Sequence, residues 1–127
     1  MTATALYLYC VVPATDPMPV LSSPALDGGP VRAVRYQELA ALAHVCPPEP
    51  YQGSDEEVRG WVAVHNAVVE EAWGCAGSVL PMSFDVIVRD DAERSAEANL
   101  VGWLAEHYAA LAVRERAPVA RERVAYD

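Results

Sequence analysis

Lysine is absent from this 127-residue chain, so its positive charge is carried by nine Lys+Arg positions that are all arginine against eighteen acids, for a net charge of −9. That balance argues against phosphate backbones and anionic membrane surfaces as partners, because both are repelled over a Debye length of about 8 Å at physiological salt. No Cys-x-x-Cys pair is present: Cys10, Cys46 and Cys75 are odd in number and far apart, which fits reduced thiols in the cytoplasm better than a disulfide framework. The opening Thr2-Ala3-Thr4 has no basic flank, so no secretory leader is expected. No apolar run approaches the roughly 18 residues that span a bilayer. A Gly-rich phosphate loop is missing too, since Gly28-Gly29 runs into Pro30 rather than a helix start.

What remains is 53% hydrophobic, enough for one domain with its own core and too little chain for two of ordinary size. Ala5 to Val12 is a continuous apolar run rich in aromatic and β-branched residues, which predicts a central strand buried on both faces. Five prolines from Pro13 to Pro30, both included, break all periodicity and predict a long surface loop, and Pro47 to Gly53 predicts a second. Val31 to Arg35 alternates, and Leu39 to Val45 resumes an apolar pattern that reads as the second half of a hairpin or as a helical turn.

Ser54 and Glu57 have capping-box spacing, and Val58, Trp61, Val62, His65, Val68, Val69, Ala72 and Trp73 recur at helical spacing before Gly74 and Gly77. Ser78 to Val88 reads as a strand, with Pro81 demanding an edge or a bulge because it donates no ladder bond. Asp90 and Glu93 offer a second capping box for a helix carrying Ala96, Leu100, Trp103, Leu104, Tyr108 and Leu111, closed by Pro118. Val119 to Tyr126 predicts a short final strand. The simplest assembly is an α+β fold, a mixed or antiparallel sheet with two main helices packed on one face, of ferredoxin-like character. Leu8, Val11, Val62, Val69, Leu80, Phe84, Leu100 and Leu104 are then expected in one core, where Phe84→Ala would cost about 3–5 kcal/mol.

Catalytic and metal chemistry find little support. His65, His44 and Cys46 lack a recognised ligand spacing, and a structural histidine is the simpler reading. Ser83, His65 and Asp85 include the residue types of a hydrolase triad but no nucleophile elbow. The acids at 55–57 and 90–91 read as helix-start charges favoured by the dipole.

The run Val79-Leu80-Pro81-Met82-Ser83-Phe84 after a histidine-bearing helix resembles the central signature of the gas vesicle protein F/L family. The opening Tyr7 to Val12 strand, Leu26-Asp27-Gly28, Val31 to Val34, Leu39 to Leu42 and Trp103 to His107 extend the likeness in the family's order. Asp85 departs from the glycine common at that place, and the chain resembles only the N-terminal domain of members that are about twice as long. The resemblance implies a single α+β domain over residues 1–127 from a non-enzymatic accessory protein. That protein assembles gas vesicles through contacts with the shell subunit and sibling accessory proteins, in the cytoplasm or on the vesicle, with no cofactor. Pro81, Met82, Ser83, Asp85 and Trp73 are the candidate partner-binding residues, because a proline irregularity at a strand edge leaves apolar side chains available and Trp73 adjoins a glycine break. An open strand edge also predicts a homodimer, through that edge or through the Trp-bearing helix face, with a salt-sensitive part from the arginine-rich tail. The alternatives are a small ligand-binding or enzymatic domain with His65, Tyr9 or Ser83 in a pocket between sheet and helices, and a stand-alone oligomerisation module.

Overall fold

The computed structural model describes residues 5–15, 18, 20–49, 51–84, 86–108 and 110. Strand β1 (Ala5–Pro13) is the centre of a five-stranded antiparallel sheet, with only Pro13 not fully buried. Its partner on one side is β3 (Leu39–Cys46), which pairs in turn with β2 (Arg32–Tyr36) through a two-residue turn where Gln37 takes φ 55°. The hairpin therefore forms, and Leu39 to Ala43 is strand rather than helical turn. Ladders on both sides of β3 override the helix propensity of its leucines and alanines.

On the other edge of β1 the expected continuous strand is split. β4 is Leu80–Pro81 and β5 is Ile87–Arg89, and both pair with β1. Pro81 faces Cys10 while Ile87 faces Tyr7, so five residues (82–86) stand opposite two (Leu8 and Tyr9). This three-residue excess forces the connection out of the ladder. Met82 donates its N–H to the Tyr9 carbonyl at 3.0 Å, so the neighbouring Pro81 nitrogen points outward, where no donor is required.

Helix α1 (Asp55–Ala76) starts at the predicted capping box, with the Ser54 amide donating to Glu57 Oε1 at 2.9 Å and the Glu57 amide to Ser54 Oγ at 3.2 Å. It continues through Gly74 and ends at Gly77, whose φ of 85° places the closing turn in the left-handed region. Helix α2 (Ala96–Glu106) begins later than expected. Asp91 Oδ1 accepts from the amides of Glu93 and Arg94 at 2.8 and 2.7 Å in a turn of its own, and Ser95 rather than Asp90 is the cap. The predicted continuation to Leu111 and Pro118, and the final strand at 119–126, lie outside the described residues.

The two helices pack on opposite faces of the sheet, which corrects the one-face arrangement behind the ferredoxin-like expectation. Ala5, Tyr7, Ala40, Leu42 and Cys46 meet Val68, Val69 and Ala72 of α1, whereas Leu6, Leu8, Val11, Leu39, Ala41 and Ala43 meet Leu100 and Leu104 of α2. The reason is the burial of β1 and β3 on both sides: a sheet whose central strands are apolar throughout needs a cover on each face. The single expected core is accordingly two. Val69 lies with α1, while Leu8, Val11, Leu80, Leu100 and Leu104 lie with α2, and Val62 and Phe84 are only half-buried. Truncating Phe84 thus removes a partly exposed ring, and the expected cost falls below the range for a buried aromatic. A bulge at Tyr9 breaks the alternation of β1, so consecutive Tyr9 and Cys10 both join the α1 side.

The proline-rich loop is fastened rather than merely exposed. Glu71 of α1 accepts from the Ser22 amide at 2.6 Å, the Ser22 hydroxyl at 2.9 Å and the Ser23 amide at 2.7 Å. These bonds hold its carboxyl well below the usual range, at about 2. A carboxylate with a depressed folded pKa contributes above its unfolded value and loses that contribution as pH falls through the folded one. Protection of the Ser22 and Ser23 amides is therefore expected to fade as pH drops from about 4.5 toward about 2, ahead of the strand amides, in a hydrogen-exchange series.

Candidate functional site

Alternate residues of β1 send two phenols toward α1, and each meets a histidine. Tyr7 Oη lies 2.7 Å from His65 Nδ1, and the His65 Nε2–H donates to the Met82 carbonyl at 2.9 Å. A carbonyl only accepts, so Nε2 carries the ring proton and Nδ1 accepts from the Tyr7 hydroxyl. Tyr9 Oη accepts from the Leu26 amide at 2.9 Å and bonds His44 Nδ1 at 2.8 Å, and His44 Nε2 reaches Tyr51 Oη at 3.0 Å. Burial lowers the pKa of both histidines, against an opposing Met82 bond at His65 and the Asp27 charge near His44, and burial raises that of Tyr9. Both imidazoles are therefore neutral at physiological pH.

This cluster is a closed structural network. No buried side-chain nitrogen or oxygen among the described residues lacks a partner, and no group of three His, Cys, Asp or Glu side chains there is placed to hold a metal. Tyr9 and His65 are each engaged with partners inside this network, and Ser83 is exposed. The cavity beneath the proline-rich loop, between Val12, Leu21 and Ala72, holds about 10 Å³, room for no more than a water.

An open groove lies instead where the β4–β5 connection faces α2. Pro81, Met82, Ser83 and Val86 form one wall and Trp103 and His107 the other, around a space of about 380 Å³. Met82 and Val86 turn toward α2 while Phe84 and Ile87 turn toward α1, so the connection straddles the edge of the sheet. No described strand pairs with the outer side of β4 or β5. Three of the candidate residues, Pro81, Met82 and Ser83, are thus brought together. Trp73 is not with them: it packs on the α1 side, half-buried like Trp61 and Trp103. Asp85 lies outside the described residues. Sequence reasoning overlooked Trp103 and His107 as site residues, although their four-residue spacing places them on one helix face, with ring centroids 5.4 Å apart.

Residues 5–114 match the family described as gas vesicle synthesis protein GvpL/GvpF. Gas vesicle protein L1 of Halobacterium salinarum is 35% identical over 104 residues, which is 80% of this chain and 35% of that protein. Gas vesicle protein L of Haloferax mediterranei is 28% identical over 87 residues, 68% of this chain and 26% of its own length. The chain spans about a third or less of these curated relatives. Its fold is similar to that of the crystal structure of GvpF from Anabaena sp. PCC7120, with a TM-score of 0.62 at 24% identity over 85% of this chain and 41% of that one. GvpF from Microcystis aeruginosa superposes with a TM-score of 0.60 at 19% identity, covering 84% of this chain and 40% of that one. An antiparallel sheet between two helices, matched by these folds and by a family match over most of the chain, leads to one conclusion: this chain belongs to the GvpL/GvpF family of gas vesicle proteins.

Proposed function

We propose that this chain is a non-enzymatic accessory domain in gas vesicle formation, corresponding to the N-terminal α+β domain of its longer relatives and working in the cytoplasm or on the vesicle. It acts by protein contact with the shell subunit or with sibling accessory proteins. The observation that carries this reading is the groove at the β4–β5 edge, whose outer side no described strand pairs with, walled by Pro81, Met82 and Ser83 on one side and Trp103 on the other. An unpaired edge beside an apolar groove accepts an extended or helical apolar segment by main-chain bonding and side-chain insertion. Shell-forming subunits carry such segments unsatisfied until they polymerise.

Capture of purified shell subunit by the immobilised chain tests the proposal. Ser83→Arg and Trp103→Ala, each checked for an intact fold by circular dichroism, are expected to abolish capture, and Trp73→Ala on the opposite face is expected to leave it. Equal capture by the wild type and both groove variants would refute the groove as the contact. Self-pairing through the same edge is the competing use of it. Sedimentation of the wild type and Ser83→Arg over a range of concentrations separates the two.

A further inference from the structure

Asn99, Trp103 and His107 recur at every fourth residue and share one face of α2, but they treat the neighbouring sheet edge differently. Trp103 and His107 wall the groove, whereas Asn99 Nδ2 donates to the main-chain carbonyl of Arg89 at 2.9 Å and to Asp91 Oδ2 at 3.2 Å. A side-chain amide seated on the carbonyl of an edge strand closes that point to a further strand.

The points beside it stay open. The Leu8 amide donates to the Val86 carbonyl at 2.9 Å, and Tyr7 and Leu6 face Ile87 and Val88. Main-chain groups alternate in direction along an antiparallel strand, so Val86 and Val88 bond inward to β1 while Ile87 and Arg89 point outward. The Asn99 bond to the Arg89 carbonyl agrees with that alternation. No described strand lies on the outer side, and the Ile87 N–H, the Ile87 carbonyl and the Arg89 N–H meet no partner there among the described residues. The side chains are left incomplete as well: Val86, Ile87 and Val88 are each half-buried, Ile87 toward α1 and the two valines toward α2.

We propose that the outer side of β5 takes one extended partner segment of alternating apolar residues with basic flanks, paired to Ile87 and the Arg89 N–H, and that Asn99 ends the pairing by occupying the Arg89 carbonyl. That assignment rests on the β4–β5 edge being the docking site and adds the form of its occupant, a strand and not a helix. A helix bonds its own main chain and would leave all three outward groups unsatisfied. Alternation follows from cross-strand neighbours: the residue opposite Ile87 shares its side of the sheet, and the residues flanking it meet Val86 and Val88. The basic flanks follow from charge, because the turn after β5 carries Asp90, Asp91 and Glu93 against Arg94 in a chain of net charge −9.

Amide hydrogen exchange on the intact chain tests this with a short synthetic peptide of alternating valine and threonine flanked by arginines. In the dilute free chain the Ile87 and Arg89 amides are expected to exchange near their intrinsic rates and the Val88 amide slowly. Saturating peptide is expected to slow Ile87 and Arg89 about tenfold, the scale of one main-chain bond. The same peptide N-methylated throughout keeps its side chains but loses its donors, and should leave both amides fast. Ile87→Pro removes no bond of the β1–β5 ladder, since that nitrogen faces outward, and its ring blocks the partner's place. It is expected to keep Val88 protected and to abolish the slowing at Arg89. Asn99→Ala frees the Arg89 carbonyl and should tighten peptide binding severalfold, while glutamate flanks should weaken it. Slow exchange of Ile87 in the free chain, no slowing by the peptide, slowing by its methylated form, or slowing at Arg89 that survives Ile87→Pro overturns the strand pairing. Unchanged affinity in Asn99→Ala or with glutamate flanks overturns the role of Asn99 or of the basic flanks. If Ile87→Pro does not fold, the methylated peptide decides in its place. No shell subunit enters these measurements, so capture that persists while Ile87 stays unprotected removes the strand and leaves the groove reading standing.

Discussion

Leu100→Ala is expected to destabilise the fold by about 2–5 kcal/mol, the range for a buried leucine reduced to alanine. Leu100 is fully buried in the layer between α2 and the sheet. Much of that layer is small: Ala41, Ala43 and Ala96 stand beside Leu6, Leu8 and Leu39. Alanines cannot swing into a vacated space, so the hole stays open and the cost should fall in the upper half of the range. Urea unfolding with an unchanged m-value would confirm a loss of native packing. A shift in stability under about 1 kcal/mol would show that α2 is not held by this contact, since even mild core truncations exceed it. The same variant loosens the Trp103 wall of the groove, so its effect on capture reports whether α2 merely closes the core or also shapes the docking surface.

Tyr9→Phe is the second large effect, and it isolates polar from apolar terms. Phenylalanine fills the same fully buried volume, so the transfer of the ring is nearly unchanged. What disappears is the hydroxyl that satisfies the Leu26 amide and one nitrogen of His44. Each buried group left without a partner costs about 1–3 kcal/mol, compared with about 1 kcal/mol for an ordinary bond removed with both its members. The loss should therefore exceed that of Tyr36→Phe on the half-buried edge strand. Urea midpoints of the two variants make the comparison. A Tyr9→Phe variant as stable as the wild type would mean that water replaces the hydroxyl and that the network is not closed. Exchange at the Leu26 amide adds a local readout, because the proline-rich loop loses its tie to the central strand while its Glu71 tie remains.

Local chemistry was legible wherever a residue's nearest neighbours in the chain decide its conformation. Ser54 and Glu57 predict the start of α1 because both members of the box lie within one turn of each other. Pro81 predicts an irregular edge because a missing donor is a property of the residue itself. Asp90 and Glu93 misled because Asp91 closes a turn with the next amides first, a competition between neighbours that spacing alone does not rank.

The chain by itself determined the existence of the central strand, the two helices and the family signature, since periodicity and ordered motifs are written along one dimension. The choice between hairpin and helical turn at Leu39 to Ala43 waited for the ladders on both sides of β3. Only the tertiary structure decided on which side of the sheet each helix lies. A strand apolar on both faces announces two covers without assigning them, and the assignment exists only once one face has packed against α1 and the other against α2. Trp73 and Pro81 are eight residues apart in the chain and on different sides of the fold. Pro81 and Trp103, more than twenty apart, wall one groove. The His65 bond to Met82 has the same origin: it depends on where the helix meets the edge, and that meeting exists only after the layers have packed.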